Sequence, residues 1–166
     1  SKPLSSFSES VIPFLTLLET MKNKSATIVY CSTGAIYDSR EESRFDENSP
    51  LYPPSPYAAS KHACEGIAMS YYESYDLDVR IARIFSVFGP EMKRFFIYDF
   101  IEKISKEEKS IQLFGTGEQV RDYLHVDDVC SGLITIMENG KAGDIYNLSS
   151  GKPTTLIELS ERIMDI

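Results

Sequence analysis

The sequence predicts an α/β protein built on a doubly wound parallel sheet. Two segments carry that reading. Thr27–Cys31 and Asp78–Ile84 are mostly apolar with many β-branched residues, as expected of strands buried on both faces of a parallel sheet. A helix-length stretch lies between them, so the middle of the chain reads strand, loop, helix, strand, a βαβ unit with a right-handed crossover. With 166 residues, 42% of them hydrophobic and 25% charged, the chain can bury a core and is too apolar for wholesale disorder.

The elements follow in order. Ser5 to Lys24 holds Phe7, Val11, Phe14, Leu15, Leu17, Leu18 and Met21, whose i, i+3, i+4, i+7 spacing reads as an amphipathic helix. Pro13 either starts that helix or kinks it. After the strand at Thr27–Cys31, Ser39 to Pro56 is polar, acidic and proline-bearing and reads as a long loop. Ser55 suits an N-cap and Pro56 the first helical position of a helix running through Tyr57, Lys61 and Glu65 to about Tyr75. Beyond Gly89-Pro90 the expected order is a helix over Phe95–Lys106, a short strand over Ile111–Phe114 and a turn at Gly115-Thr116-Gly117. A helix capped by Asp127 or Asp128 then runs to about Glu138, followed by a strand at Ile145–Leu148 and a last helix over Thr155–Met164.

Composition narrows the function classes. Seventeen Lys and Arg against 25 Asp and Glu leave a net charge of −8, which argues against a broad nucleic-acid-binding face. No apolar run is long enough for a membrane-spanning helix. Cys31, Cys64 and Cys130 are odd in number and widely spaced, and read as reduced thiols of a cytoplasmic protein. Two histidines, His62 and His125, are too few for a His-built zinc site, so no metal is expected.

The residues with chemistry in them are Tyr57-Ala58-Ala59-Ser60-Lys61. Tyr and Lys four apart share one face of a helix. A phenol is a poor base at neutral pH, and a neighbouring ammonium favours its phenolate. A hydroxyl that could share the proton stands 24 positions upstream of Tyr57, in Ser32-Thr33 at the carboxyl end of the first buried strand. In open parallel sheets ligands bind at that end.

These residues, with three further segments, resemble the extended short-chain dehydrogenase/reductases, and within them the NAD-dependent nucleotide-sugar epimerase/dehydratase group. Ser32-Thr33-Gly34-Ala35-Ile36-Tyr37 is similar to that family's Ser-[Ser/Thr]-x-x-[Val/Ile]-Tyr segment, and Tyr57 and Lys61 to its Tyr-x-x-x-Lys. Arg83 to Pro90 resembles its R-x-x-N-V-[YF]-G-P, Gly115 to Val129 its G-x-G-x-x-x-R-D-[YF]-[VIL]-H-V-x-D, and Ile145–Leu148 its late strand. The resemblance implies an incomplete Rossmann-like doubly wound parallel sheet with part of a small α/β substrate-binding region. Residues 1–90 would be the C-terminal part of the NAD-binding domain and 91–166 mainly the substrate region, with 127–148 packing back on the sheet.

By resemblance, Tyr57 is the acid/base, Lys61 holds the nicotinamide ribose and favours the Tyr57 phenolate, and Thr33 orients the sugar hydroxyl and relays its proton. Ser32, Tyr57, Lys61 and Phe85 would contact the cofactor. Thr33, Ser86, Phe114 and Arg121 would contact the substrate, Arg121 at the diphosphate, a task that suits a forked guanidinium. Arg121 could instead pair with Asp122 or Asp127, and Phe114 could be core. The cofactor implied is NAD, with NADP not distinguished, and the partners are a nucleotide sugar, UDP-linked, and a second copy in a homodimer of the intact enzyme.

Departures refine the expectation. No glycine-rich pyrophosphate loop is present, so an internal piece of a longer enzyme is expected, a naturally short protein lacking the cofactor half being the alternative. Ser86 stands where the family has Asn. Gly34 and Ala35 follow Thr33 where related dehydratases carry an Asp-Glu pair and decarboxylases a Glu, and neither can move a proton. The expected reaction is therefore oxidation and reduction at one carbon, C4 epimerisation of a UDP-sugar through a 4-keto intermediate. The alternatives are a 4-keto reductase or dehydratase of the same family, or a non-catalytic module that binds a nucleotide sugar or a protein.

Overall fold

The computed structural model describes residues 3–40, 44–106, 111–112 and 115–165. In chain order these form helix α1 (Pro3–Met21), strand β1 (Thr27–Thr33), a 3₁₀ turn (Gly34–Ile36), α2 (Pro56–Tyr75), β2 (Asp78–Ile84) and β3 (Ser86–Phe88). Helix α3 (Phe95–Ser105), β4 (Val120–His125), α4 (Val126–Asn139), β5 (Ile145–Leu148), β6 (Pro153–Thr155) and α5 (Leu156–Met164) follow. The chain divides into two compact units, one of residues 1–85 and 129–148, the other of 86–128 and 149–166.

The first unit holds a three-stranded parallel sheet in the order β1-β2-β5, which bears out the α/β parallel-sheet expectation. Strand β2 is central, and Val79, Ile81, Ala82 and Arg83 on it are all buried, so both of its faces are covered. The core gathers Phe14 and Leu18 of α1, Tyr30 of β1, Cys64, Ala68 and Tyr71 of α2, and Leu77, Val79 and Ile81. The 11, 14, 18, 21 spacing on α1 explains its share: Val11 and Met21 pack against the same cluster. Helix α1 neither starts at Pro13 nor breaks there. It begins at Pro3 and runs through Pro13, which has no N–H to donate to the preceding turn.

Helix α2 begins as expected. The Ser55 hydroxyl accepts from the Ala58 N–H at 3.1 Å, Pro56 opens the first turn, and Asp76 closes the helix in the left-handed region at φ 52°. At the other end of the sheet, the Arg80 Nη1 donates to the Ile136 and Met137 carbonyls, each at 2.7 Å, and caps the last turn of α4. Gly132 of α4 lies against Leu148 of β5, where an added Cβ would come within 2.8 Å of the Leu148 side chain.

In the second unit β4 is central, parallel to β3 and antiparallel to β6. These three short strands are not among the sequence-based expectations. Ile111 and Gln112 form no strand, and the rest of the strand expected there, with Phe114, lies outside the described residues. Helix α4 follows β4 directly, and Asp127 and Asp128 sit in its first turn rather than at its N-cap. The His125 Nδ1 accepts the Asp127 N–H at 3.2 Å in their place. Helix α5 carries a complete capping box between Thr155 and Glu158.

Two stability predictions follow from this packing. Leu18 is fully buried, so Leu18→Ala should lower unfolding stability by about 2–5 kcal/mol in a denaturant titration. A loss below about 1 kcal/mol would contradict its place in the core. Asp78 takes bonds from Arg80 at 2.9 and 2.7 Å and from Thr27 at 2.8 Å. Burial pushes its carboxyl up, but these bonds outweigh it and leave the pKa below the ordinary 3.8. A depressed carboxylate stabilises the fold above its unfolded pKa and loses that contribution as pH falls through the folded value. Asp78→Asn should therefore cost roughly 0.5 kcal/mol at pH 7 and flatten the decline in stability below about pH 4, read from melts across pH.

Candidate active site

Ser32 and Thr33 end β1, Tyr57 and Lys61 lie in the first two turns of α2, and Phe85 follows β2, all within the first unit. The carboxyl ends of β1 and β2 are level, with Thr33 paired to Ile84. Lys61 is tied to this end of the sheet: its Nζ donates to the Cys31 carbonyl at 2.8 Å and lies 5.0 Å from the centre of the Tyr30 ring. One of the three ammonium protons is thus engaged with backbone, and Lys61 has further donors for a ligand. Tyr57, one turn earlier on the same face of α2, is 46% exposed.

The Thr33 hydroxyl accepts the Ala35 N–H at 3.2 Å and so starts the 3₁₀ turn. Its own proton is left to donate. Gly34 in that turn faces Phe85, and a Cβ there would meet three atoms of the Phe85 ring at 3.0 Å. A larger residue at position 34 would have to displace the ring. Phe85 itself is held by its N–H, which donates to the Leu148 carbonyl at 3.1 Å. The Cys31 thiol is pushed up by desolvation, an effect the Lys61 charge only partly offsets, so Cys31 is no thiolate at neutral pH.

Ser32 differs from its neighbours. It is buried, and its hydroxyl donates to the Glu65 carboxylate. Glu65 in turn pairs with Arg83 through Arg83 Nε at 3.1 Å and Nη2 at 2.8 Å, both residues only 3% exposed. The remaining nitrogen, Nη1, donates to the Tyr37 hydroxyl and to the Glu47 carbonyl, each at 2.9 Å. The Tyr37 hydroxyl donates to the Asn147 Oδ1 at 2.7 Å, and the Asn147 N–H donates to the Glu47 carboxylate at 2.7 Å. Burial would lower the Arg83 pKa, but the bonds to Glu65 and Tyr37 outweigh it and hold the guanidinium charged.

This network was missed in the sequence, although two signals pointed to it. Arg83 is a charge inside a strand covered on both faces, which demands a partner. Glu65 sits four residues beyond Lys61 on the stripe that carries Tyr57.

Ser86 and Arg121 lie in the second unit. Ser86 opens β3 opposite Tyr123, and the exposed Arg121 on β4 donates from Nη1 to the Val120 carbonyl at 2.8 Å. Asp122, one of the partners considered for Arg121, accepts instead from the Ser150 N–H at 2.6 Å. Among the described residues, no group of three or more His, Cys, Asp or Glu side chains is arranged to hold a metal ion.

Residues 1–149 match the family model described as the NAD dependent epimerase/dehydratase family. The dTDP-D-glucose 4,6-dehydratase of Bos taurus is 34% identical over 139 residues, which are 83% of this chain and 39% of that protein. Among solved structures, a dTDP-glucose 4,6-dehydratase of Bacillus anthracis in complex with NAD superposes with a TM-score of 0.91 at 32% identity, covering 99% of this chain and 54% of the other. A UDP-N-acetylglucosamine 4-epimerase of Methanobrevibacter ruminantium gives 0.90 at 31% identity, again covering 99% and 54%. The chain therefore spans about half or less of the length of the proteins it matches. Its sheet, its Thr33, Tyr57 and Lys61 segments and these matches together show that the chain belongs to the NAD-dependent epimerase/dehydratase family of nucleotide-sugar enzymes.

Proposed function

We propose that this chain is the catalytic part of an NAD-dependent epimerase that oxidises and reduces a UDP-sugar at C4. The observation that carries the choice is the turn after Thr33. Gly34 and Ala35 hold no proton to exchange, and Gly34 is packed against Phe85, so no second acid/base is available there for elimination. One carbon is then oxidised and reduced with a single proton shuttle.

In this reading Tyr57 takes the proton of the C4 hydroxyl, and its exposure leaves it open to a sugar. Thr33, whose oxygen already accepts from Ala35, donates its hydroxyl proton to the C4 oxygen and keeps it in line with Tyr57. Lys61 has donors left after Cys31 and suits a ribose diol. Phe85 offers an aromatic wall for a nicotinamide. These donors fit NAD, which when bound supplies a reversible hydride acceptor. Ser86 and Arg121 are assigned to the nucleotide sugar, Arg121 to its diphosphate. The unit of residues 1–85 and 129–148 serves the cofactor and the chemistry, and the other unit the substrate. The intact enzyme is a cytoplasmic homodimer in this reading.

A second reading, 4,6-dehydration, is favoured by the 34% identity to a dTDP-D-glucose 4,6-dehydratase and requires acid/base groups from outside this turn. Product analysis separates the two. Incubated with UDP-glucose, UDP-N-acetylglucosamine or dTDP-glucose, the intact protein should yield the C4 epimer of a UDP-sugar by NMR. A 4-keto-6-deoxy product would overturn epimerisation in favour of dehydration. Tyr57→Phe should lower kcat by roughly 10²–10⁴-fold with an unchanged circular dichroism spectrum. Wild-type turnover in that variant would remove Tyr57 from the chemistry.

A further inference from the structure

The Tyr57, Lys61 and Glu65 side chains lie at i, i+4 and i+8 on one stripe of α2, and exposure falls along it from the half-exposed Tyr57 to the buried Glu65. Tyr57 and Lys61 have parts in the proposed reaction. Glu65 has none, yet it makes the bond that ties this stripe to the residue between Cys31 and Thr33.

Charge balance with Arg83 accounts for the buried carboxylate but not for its bond to Ser32. A buried ion pair is at best a weak stabiliser, and an apolar pair of the same volume commonly does as well. The forked contact with Arg83 already neutralises the carboxylate, so the Ser32 bond is additional. That bond lands on the peptide unit that matters most. The residue before Ser32 presents the carbonyl that holds Lys61, and the residue after it carries the Thr33 hydroxyl. A shift of Ser32 moves both at once.

We propose that Glu65 is a positioning residue. Through the Ser32 hydroxyl, and with Arg83 as its counter-charge, it fixes the end of β1, so that the Cys31 carbonyl stays on the Lys61 ammonium and the Thr33 hydroxyl stays at the head of the Gly34 turn. This rests on the functional reading above, and it assigns to Glu65 and Ser32 an effect on turnover rather than on binding. A misplacement of about 1 Å in such a site costs on the order of 10²-fold in rate.

The test uses the intact protein with Ser32→Ala, Ser32→Thr, Glu65→Gln and, as a control, Arg80→Gln, which breaks a different ion pair on the same strand. Ser32→Ala and Glu65→Gln should lower kcat by roughly 10–100-fold while KM for the nucleotide sugar changes less than about threefold. Ser32→Thr, which keeps the hydroxyl, should restore most of the rate. Arg80→Gln should lower Tm and leave kcat unchanged. If Glu65→Gln does not fold, Ser32→Ala carries the test, because it leaves the Glu65–Arg83 pair in place. Wild-type kcat in Ser32→Ala, or a kcat in Arg80→Gln that drops in step with its Tm, would overturn the proposal.

Amide hydrogen exchange keeps this outcome separate from that of the functional reading. In Ser32→Ala, exchange over 31–36 should rise at least about tenfold while 27–29 stays unchanged. If the wild-type protein turns over no nucleotide sugar, the reaction assignment falls and exchange alone decides: a local rise supports the positioning role, and no change refutes it.

Discussion

A guanidinium buried in a parallel sheet is the constraint on which the rest of the first unit depends. Arg83 sits near the end of the central strand, where water is excluded on both faces. An isolated charge there would be untenable, so the fold must bring a carboxylate to it. Glu65 does so from α2, which sets how close that helix approaches β2. The Tyr37 hydroxyl and Glu47 carbonyl take the other guanidinium face, which seats the long loop after β1 on the same end of the sheet. Three segments far apart in sequence are thereby held at the carboxyl ends of the strands by one side chain.

The helix that supplies Glu65 is anchored along most of its length. Cys64, Ala68 and Tyr71 bury into the apolar cluster with Phe14 and Leu18, and Ala58 and Ser60, near Tyr57 in the first turns, are fully buried. Tyr57 itself stays half-exposed. A firmly seated helix behind an exposed reactive side chain is what a site needs when its groups must be held to a fraction of an ångström. The tether of Lys61 is a backbone carbonyl, so its place depends on the course of β1 and not on the side chain at position 31.

The chemistry proposed here depends as much on the groups that are missing as on those present. In the proposed reaction Tyr57 takes the one proton that moves and Thr33 orients the hydroxyl that gives it, and the two residues after Thr33 have no proton to exchange. A side chain at Gly34 would have to push the Phe85 ring aside. Ala35 is exposed, so a side chain with a proton could stand there sterically, and the sequence has a methyl. In the proposed reading, specificity for reaction type comes from this short turn, which the Thr33 hydroxyl caps and Phe85 packs against.

The sequence by itself determined the elements whose signals are local. The periodic apolar face of α1, the Ser55-Pro56 start of α2 and the buried runs of β1, β2 and β5 all appear where their patterns lie, because helix periodicity, capping and strand burial depend on neighbours within a few residues. The Thr33, Tyr57 and Lys61 segments were legible for the same reason, being short spacings on single elements. Tertiary structure decided what depends on distant partners. The short strands β3, β4 and β6 draw their stability from one another and carry little pattern of their own. Helix α4 donates its Asp127 N–H to a histidine at the end of β4 rather than to either aspartate side chain, because the strand runs directly into the helix. Ser32, Glu65, Arg83, Tyr37 and Asn147 span more than a hundred residues of sequence, and only the packed sheet gathers their polar atoms, the first four of them on buried residues that must find partners within the protein.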